Sequence, residues 1–294
     1  MPFNPTYATV ENEECTLKYW HQGKGPLLVF IAGGGGIGRQ FNRIFEYLDQ
    51  DYTVCTYDRR QTNESVVHGG HKPLNPAQQC RDIIAIVKAL GRQRTSILGN
   101  SGGGVLALQF AVSYPEHLEH VIVHEAPTTI LLDDATYHLN RAFMLLDTYA
   151  KGGVQAASDS FRTEMKGYGP GDEALSRPGE ADGRNFWENE FLTFTIYCPD
   201  LTKIVPNGVS IAVAAGRKSD DAFYARTTFR QSEIMECPRY MVPGHHNGYE
   251  SQPLEFAHEL KDILDKMNSS KKRCSVHQTQ TEVVLVLGAG PGHA

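Results

Sequence analysis

The sequence predicts an α/β fold in which a mostly parallel central sheet has helices on both faces and carries an inserted helical segment. Short continuous apolar runs alternate with helical patterns, and such runs are typical of strands buried on both faces. This alternation stops after residue 127 and resumes at residue 208. The pattern therefore predicts a core at residues 1–127 and 208–267, a helical cap inserted at 128–207, and a flexible tail at 268–294.

The composition limits the classes of function. The 294 residues are 40% hydrophobic and 21% charged, which is ordinary for a globular protein with a substantial core. The net charge of -6 provides no basic surface, so we expect neither nucleic acid nor a membrane as a partner. The first residues lack the basic and apolar regions of a signal peptide, so we expect none, and no apolar run approaches membrane-spanning length. Six scattered cysteines without C-x-x-C spacing indicate free thiols, which predicts a cytoplasmic protein and no metal site. We expect no cofactor. A homodimer is left open.

The first part of the core is predicted to alternate strands and helices. The predicted elements are an antiparallel strand pair at 7–10 and 15–20, a buried strand at 27–32, a helical stretch at 40–48, a buried strand at 52–57, a helix at 76–90, and strands at 95–99 and 120–124. Pro76 suits the first turn of its helix, and Gly91 suits its end. Because the carboxyl ends of parallel strands share one edge of the sheet, we expect site residues directly after these strands.

A strand-turn-helix pattern surrounds Ser101. The apolar run at 95–99 leads into Gly-x-Ser-x-Gly at Gly99, Ser101 and Gly103, and a helical run continues to about residue 113. A sharp turn between strand and helix holds its central residue in a strained conformation, and glycines on either side keep side chains away from it. The pattern predicts that the Ser101 hydroxyl is a nucleophile exposed above the sheet.

No strand pattern is present between residues 128 and 207. Helical patterns alternate there with a Gly-, Pro- and Glu-rich stretch at 166–184, followed by an aromatic-rich part that contains Phe186, Trp187, Phe191, Phe194 and Tyr197. Long connections of this kind are usually functional, and aromatic residues favour an apolar pocket. The alternation then resumes with strands at 209–215 and 239–242 and helices at 221–232 and 253–267.

The chain resembles the α/β-hydrolase family over roughly residues 7–267. Four segments occur in the family's order: residues 27–36, Tyr57-Asp58-Arg59-Arg60, Gly99-Asn100-Ser101-Gly102-Gly103 and Pro243-Gly244-His245-His246-Asn247-Gly248. The sequence departs from the family at Gln61, where Gly is usual. The resemblance implies a serine nucleophile, a catalytic histidine late in the chain and a helical cap between core strands.

A serine hydroxyl needs a base within hydrogen-bond reach, and histidine has a suitable pKa near neutrality. His245 and His246 follow a predicted strand and a Pro-Gly turn, where their loop would overhang Ser101. The family pattern assigns the base to His246. The oxyanion of an acyl-transfer intermediate needs two preorganised donors. One is expected from the amide of Gly102, and the resemblance implies the amide of Gly34 as the second.

Two candidates remain for the acid that orients the histidine. The usual family position follows the next-to-last strand, where Asp220 lies in a Ser-Asp-Asp run; Asp221 is better explained as a helix cap. A haloalkane-dehalogenase-like branch of the family takes the acid from the strand after the nucleophile, which here ends at Glu125. Relatives with a His-Glu-Pro-like segment and a Gly-x-x-Ser later on favour that position, and Ser219 fits their pattern. We predict Glu125 as the acid, with Asp220 as the alternative.

Two other functions match parts of the sequence. Gly33-x-Gly35-x-x-Gly38 follows a strand and precedes Asp58 by 20 residues, which matches the dinucleotide-binding fingerprint of an NAD-dependent oxidoreductase. That hypothesis leaves the motif around Ser101 unexplained. A non-hydrolytic lyase or cyclase on the same fold is the other alternative. We favour a serine hydrolase that cleaves an ester, lactone or related carbonyl bond, including a C–C bond, in a small to medium apolar substrate.

Overall fold

The computed structural model describes residues 2–169 and 178–287, with side chains through residue 271. Its strands are β1 (Thr6–Asn12), β2 (Cys15–Gly23), β3 (Leu27–Ile31), β4 (Thr53–Tyr57), β5 (Val66–Val67), β6 (Thr95–Asn100), β7 (Leu118–His124), β8 (Ile211–Gly216) and β9 (Arg239–Val242). They form one sheet in the order β1-β2-β4-β3-β6-β7-β8-β9, and β5 pairs with β2. The pairs from β4 to β9 are parallel, whereas β1 and β5 run antiparallel to β2 and β2 runs antiparallel to β4. The predicted fold class is confirmed.

The helices alternate with the strands of the parallel part. Their bounds are α1 (Phe45–Leu48), α2 (Pro76–Ala89), α3 (Gly102–Ser113), α4 (Ala135–Arg162), α5 (Glu180–Asn185), α6 (Phe191–Ile196), α7 (Phe223–Met235), α8 (Gly248–Ser251) and α9 (Pro253–Leu287). The side chain of Asn75 caps α2 by accepting from the amides of Ala77 and Gln78, and Pro76 occupies the first turn. None of the described helices is long and apolar enough to cross a membrane.

Alternate residues of the central strands pack on opposite faces of the sheet. In β3, Val29 and Ile31 join an apolar cluster with α2, α3 and the end of α7, whereas Leu28 and Phe30 join a second cluster with α1 and α9. No residue of β3 is more than 3% exposed. Burial of each such side chain is worth about 1.5–3 kcal/mol, which explains why β3 is apolar throughout.

The connection between β7 and β8 supplies α4, α5 and α6, with a π-helical turn (Phe186–Glu190) between α5 and α6. The described residues of this connection contain no strand. Its helices form an apolar cluster of their own, which consists of Ala142, Leu145, Ala157, Trp187 and Phe191. Helix α4 is interrupted at Gly153, whose φ of 70° and ψ of -167° are not helical. The assignment of residues 128–207 as a cap over the site stays a prediction.

The strand β5 and the helix α9 differ from the sequence prediction. The short strand β5 was not predicted, because two residues carry no periodic signal. Helix α9 was predicted to end at residue 267 with a tail beyond it, but its backbone continues to Leu287. Polarity suggested the tail, yet neither Gly nor Pro occurs between residues 254 and 287, so no residue there ends the helix. The rest of the predicted tail, residues 288–294, lies outside the described residues.

Candidate active site

Ser101 lies at the sharp turn between β6 and α3. Its φ of 55° and ψ of -126° are strained for a non-glycine residue, at a cost of about 1–3 kcal/mol. The turn is possible because Gly99 and Gly103 flank it: a Cβ at Gly99 would lie 2.3 Å from the carbonyl oxygen of Gly103, and one at Gly103 would lie 2.1 Å from that of Ile31. The backbone amide of Ser101 donates to the carbonyl oxygen of His124 at 2.9 Å, which fixes the turn to β7.

The predicted oxyanion donors lie on both sides of Ser101. Gly102 is the first residue of α3, so its amide is at the positive end of the helix dipole. The loop after β3 approaches from the other side, since a Cβ at Gly33 would lie 2.8 Å from the Cβ of Ser101. Gly34 follows in that loop and lines the same cavity as Ser101. The structure therefore brings together the two peptide segments that carry the predicted donors.

Glu125 and His246 form a buried hydrogen-bonded pair. Nδ1 of His246 and Oε2 of Glu125 are 2.7 Å apart, and the amide of Gly216 donates to Oε1 of Glu125 at 2.8 Å. Glu125 directly follows β7, and its backbone has a positive φ of 51° at this strand end. The alternative acid, Asp220, is exposed to solvent. The carboxylate that contacts the predicted base is thus Glu125.

The surroundings of Glu125 favour its charged form. Burial alone would raise the pKa of this carboxyl group, but the hydrogen bond from His246 and the hydroxyl of Ser219 help to lower the pKa below its ordinary value. Ser219 is fully buried beside Gly216, in agreement with the Gly-x-x-Ser pattern noted in the sequence. Helix α7 begins at Phe223 with Ala222 at its N-cap, so the expectation that Asp221 caps this helix is wrong.

Aromatic rings hold the imidazole of His246 in place. The ring of Tyr224 lies against it with a centroid distance of 4.3 Å, and the ring of His124 stacks on it at 6.2 Å. His124 is fully buried, and burial lowers its pKa to about 4, so this neighbour is neutral at physiological pH. His245 has different contacts: its Nδ1 accepts from the amide of Asn247 at 3.1 Å, and its ring stacks on Tyr168 at 3.8 Å.

A cavity of about 490 Å³ joins these groups to the inserted helices. Ser101, His246 and Gly34 line it, together with aromatic rings of the insertion, namely Phe161, Phe186, Trp187, Phe191 and Phe194. Two of these rings lie against the glycines whose amides are the predicted oxyanion donors. A Cβ at Gly34 would lie 2.4 Å from Phe186, and one at Gly102 would lie 2.7 Å from Phe194. The cavity wall is therefore mostly apolar and aromatic where it meets the turn.

Asp58 and the glycine-rich loop at residues 33–38 do not form the dinucleotide site that their spacing matches. The carboxylate of Asp58 is fully buried and accepts from the amide of Gly38 at 2.9 Å through one oxygen, and from Asn63 at 2.6 Å through the other. Such a carboxylate is not available to a ribose hydroxyl. Across the part of the chain that the structure describes, no three His, Cys, Asp or Glu side chains are grouped to hold a metal ion.

Sequence reasoning missed two buried charges beside the site. Arg59 and Glu190 form an ion pair at 2.6 Å, with exposed fractions of 0% and 1%. The Tyr57-Asp58-Arg59-Arg60 segment gives no sign of a partner for Arg59, and the only sequence signal for Glu190 is a carboxylate within an aromatic-rich helical stretch. Gln61, which departs from the family pattern, has a φ of 60°, and this explains why Gly is usual there. Its side chain compensates by donating to the carbonyl oxygen of Lys72 and to Asn185.

Comparisons with known proteins show the fold family. Residues 26–196, more than half of the chain, match the family model described as the alpha/beta hydrolase fold. The chain is similar to the uncharacterized hydrolase YraK of Bacillus subtilis, at 24% identity over 264 residues that cover 88% of this chain and 96% of that protein. It is also similar to 2-hydroxy-6-oxo-6-phenylhexa-2,4-dienoate hydrolase of Comamonas testosteroni, at 33% identity over 113 residues, which are 36% of this chain and 38% of that protein.

Solved structures show the same fold at low identity. Proline iminopeptidase of Mycobacterium smegmatis superposes with a TM-score of 0.67 at 19% identity, covering 90% of this chain and 99% of that one. Naproxen esterase of Bacillus subtilis superposes with a TM-score of 0.65 at 14% identity, covering 90% of this chain and 92% of that one.

Proposed function

The chain belongs to the α/β-hydrolase fold family, and from that premise we propose that it is a serine hydrolase in which Ser101 is the nucleophile, His246 the base and Glu125 the acid. The observation that carries this proposal is the buried contact at 2.7 Å between Glu125 and His246, since His246 lines the same cavity as the strained Ser101. Because Nδ1 of His246 is engaged by the carboxylate, Nε2 is the nitrogen that accepts the serine proton.

The reaction begins when Nε2 of His246 takes the hydroxyl proton of Ser101 and Oγ bonds to the substrate carbonyl carbon. The carbonyl oxygen becomes an oxyanion, which the amides of Gly34 and Gly102 stabilise. The bond to the leaving group then breaks, and the leaving group takes the proton from His246. Water repeats the sequence on the acyl-enzyme, releases the acid and restores the serine.

Charge on Glu125 is needed while His246 carries the extra proton. The lowered pKa of Glu125 keeps the carboxylate ionised at neutral pH, so it stabilises the imidazolium that forms in each step. The neutral ring of His124 next to the pair adds no competing positive charge.

The substrate class follows from the cavity. A volume of about 490 Å³ lies within the range of small-molecule sites, and its aromatic wall favours an apolar group. We propose an ester, a lactone or a related carbonyl compound of small to medium size, with the inserted helices acting as a cap that selects the group bound. The rings of Phe186 and Phe194 would exclude water from the region around the oxyanion.

Kinetics of Ser101→Ala test the nucleophile. With p-nitrophenyl esters of increasing acyl length, lactones and a 2-hydroxy-6-oxodienoate as substrates, kcat should fall roughly 10⁴-fold or more while the fold is retained. Ser113→Ala, at the other end of α3, is the matched control and should leave kcat unchanged. Near-wild-type kcat in folded Ser101→Ala would remove the nucleophile hypothesis. A wild type that cleaves none of these substrates would favour the lyase or cyclase alternative.

A further inference from the structure

Arg59 is fully buried and binds the loop that carries one predicted oxyanion donor. Its Nε donates to the carbonyl oxygen of Ala32 at 3.1 Å, and one terminal nitrogen donates to that of Gly33 at 2.8 Å. The amide of Gly36 also donates to the oxygen of Gly33, at 3.1 Å. A guanidinium is a rigid planar group, so these contacts fix the two successive peptide planes relative to each other.

Glu190 holds Arg59 from the side of the inserted helices. Its two carboxylate oxygens accept from the two terminal nitrogens of Arg59 at 2.9 and 2.6 Å, and Oε2 also accepts from the amide of Gly35 at 3.2 Å. Glu190 ends the π-helical turn that begins at Phe186, the residue whose ring lies on Gly34. Bidentate pairs of this kind combine energy with geometric precision.

The orientation of the Gly34 amide depends on these contacts. In a trans peptide the C=O and N–H bonds point in opposite directions. Because the oxygen of Gly33 faces Arg59, the N–H of Gly34 in the same peptide plane faces away from Arg59. Gly33 and Gly34 line the same cavity as Ser101, in which the carbonyl oxygen of a bound substrate would lie.

We propose that Arg59 and Glu190 are positioning residues that aim the Gly34 amide at the oxyanion and make this orientation depend on the docked inserted helices. This inference rests on the proposed serine hydrolase function. It extends that function by linking the inserted helices, which carry Glu190, to the Gly34 amide that stabilises the oxyanion. Neither residue touches the reacting atoms; both act through the peptide between Gly33 and Gly34.

Glu190→Gln tests the proposal, with Asp82→Asn as the matched control. The control breaks a second buried bidentate pair, in which Arg60 binds Asp82 at 2.9 and 2.6 Å and also holds the carbonyl oxygens of Asn12 and Glu13. Both changes should lower the thermal midpoint. Only Glu190→Gln should lower kcat, by about tenfold to hundredfold with KM unchanged, since loss of a full oxyanion donor costs about 10²–10³.

A trifluoromethyl ketone, which forms a tetrahedral adduct with the nucleophile, provides the second readout. Its affinity should fall by the same factor as kcat in Glu190→Gln and stay unchanged in Asp82→Asn. Arg59→Lys keeps the charge but cannot hold two carbonyl oxygens and a bidentate carboxylate, so its kcat should fall as far. This variant also serves if Glu190→Gln does not fold.

Two results would overturn the inference while leaving the proposed function intact. One is an active wild type with an equally active, folded Glu190→Gln or Arg59→Lys. The other is an equal loss of kcat in Asp82→Asn, which would indicate a general effect of a broken buried pair. An inactive wild type would instead contradict the proposed function itself.

Discussion

Replacing Glu125 by Gln should abolish most activity, because the amide cannot satisfy both donors that face the carboxylate. The amide of Gly216 and Nδ1 of His246 approach the two oxygens at 2.8 and 2.7 Å. If the Gln oxygen stays on His246, its NH₂ group meets the N–H of Gly216, and a buried donor left without an acceptor costs about 1–3 kcal/mol. If the oxygen turns to Gly216, the NH₂ group faces Nδ1, and the imidazole proton must move to Nε2.

The second arrangement removes the base, since a protonated Nε2 cannot accept the proton of Ser101. Loss of the correct tautomer in a triad lowers kcat by up to roughly 10⁴-fold, equivalent to about 5 kcal/mol in the barrier. Asp220→Asn is the control. Asp220 is exposed and has a φ of 47°, a conformation that Asn adopts readily, so neither kcat nor the thermal midpoint should change.

The assay is kcat at saturating short-chain ester, measured from pH 5 to pH 9, with the thermal midpoint as a check of folding. A loss of kcat in Asp220→Asn, together with little change in Glu125→Gln, would refute the assignment of the acid. If neither substitution lowered kcat, the enzyme would work without a conventional triad.

Three further predictions concern the base, the inserted helices and the charge of Glu125. His246→Ala should cost as much kcat as Ser101→Ala, because both act as one unit. His245→Ala loses a ring stack and the hydrogen bond from the Asn247 amide but no reacting group, so it should stay within about tenfold of wild type; reversed severities would move the base to His245. Trp187→Phe should enlarge the cavity and raise kcat/KM for long acyl chains relative to short ones, while the exposed Phe143→Leu should not; equal ratios in both variants would contradict the role of the cap. The folded-state pKa of Glu125 lies below its ordinary 4.5, so its charge stabilises the fold above that pH, and this contribution is lost as the pH falls through the folded-state pKa. Urea unfolding of the wild type should therefore lose stability below about pH 4.5 more steeply than that of Glu125→Gln, and equal slopes would contradict the lowered pKa.

The parts of the fold that the sequence predicted well are those with a local physical signal. The strand predicted at 27–32 is β3 (Leu27–Ile31), and the one predicted at 209–215 is β8 (Ile211–Gly216). Continuous apolar runs are explained by burial on both faces. The turn at Ser101 was predictable because its glycines are required by contacts within the motif and with the adjacent strand.

The parts that could not be predicted depend on contacts between distant residues. Arg59 and Glu190 are 131 positions apart, and their pairing arises only when the inserted helices pack on the loop after β3. The contact of Glu125 with His246 spans 121 positions; the resemblance to one branch of the family suggested this acid, but local sequence favoured it no more than Asp220. The start of α7 two residues beyond Asp221 likewise depends on how the strand end packs, not on local capping preference.

Covalent labelling with a fluorophosphonate probe tests the central claim most directly. Only a serine activated by a neighbouring base reacts quickly with this reagent. Intact-mass spectrometry should show one adduct on the wild type, peptide mapping should locate it on Ser101, and Ser101→Ala should remain unlabelled while Ser113→Ala is labelled at the wild-type rate. Labelling of Ser101→Ala at the wild-type rate, or an ester-cleaving wild type that takes up no label, would contradict Ser101 as the nucleophile.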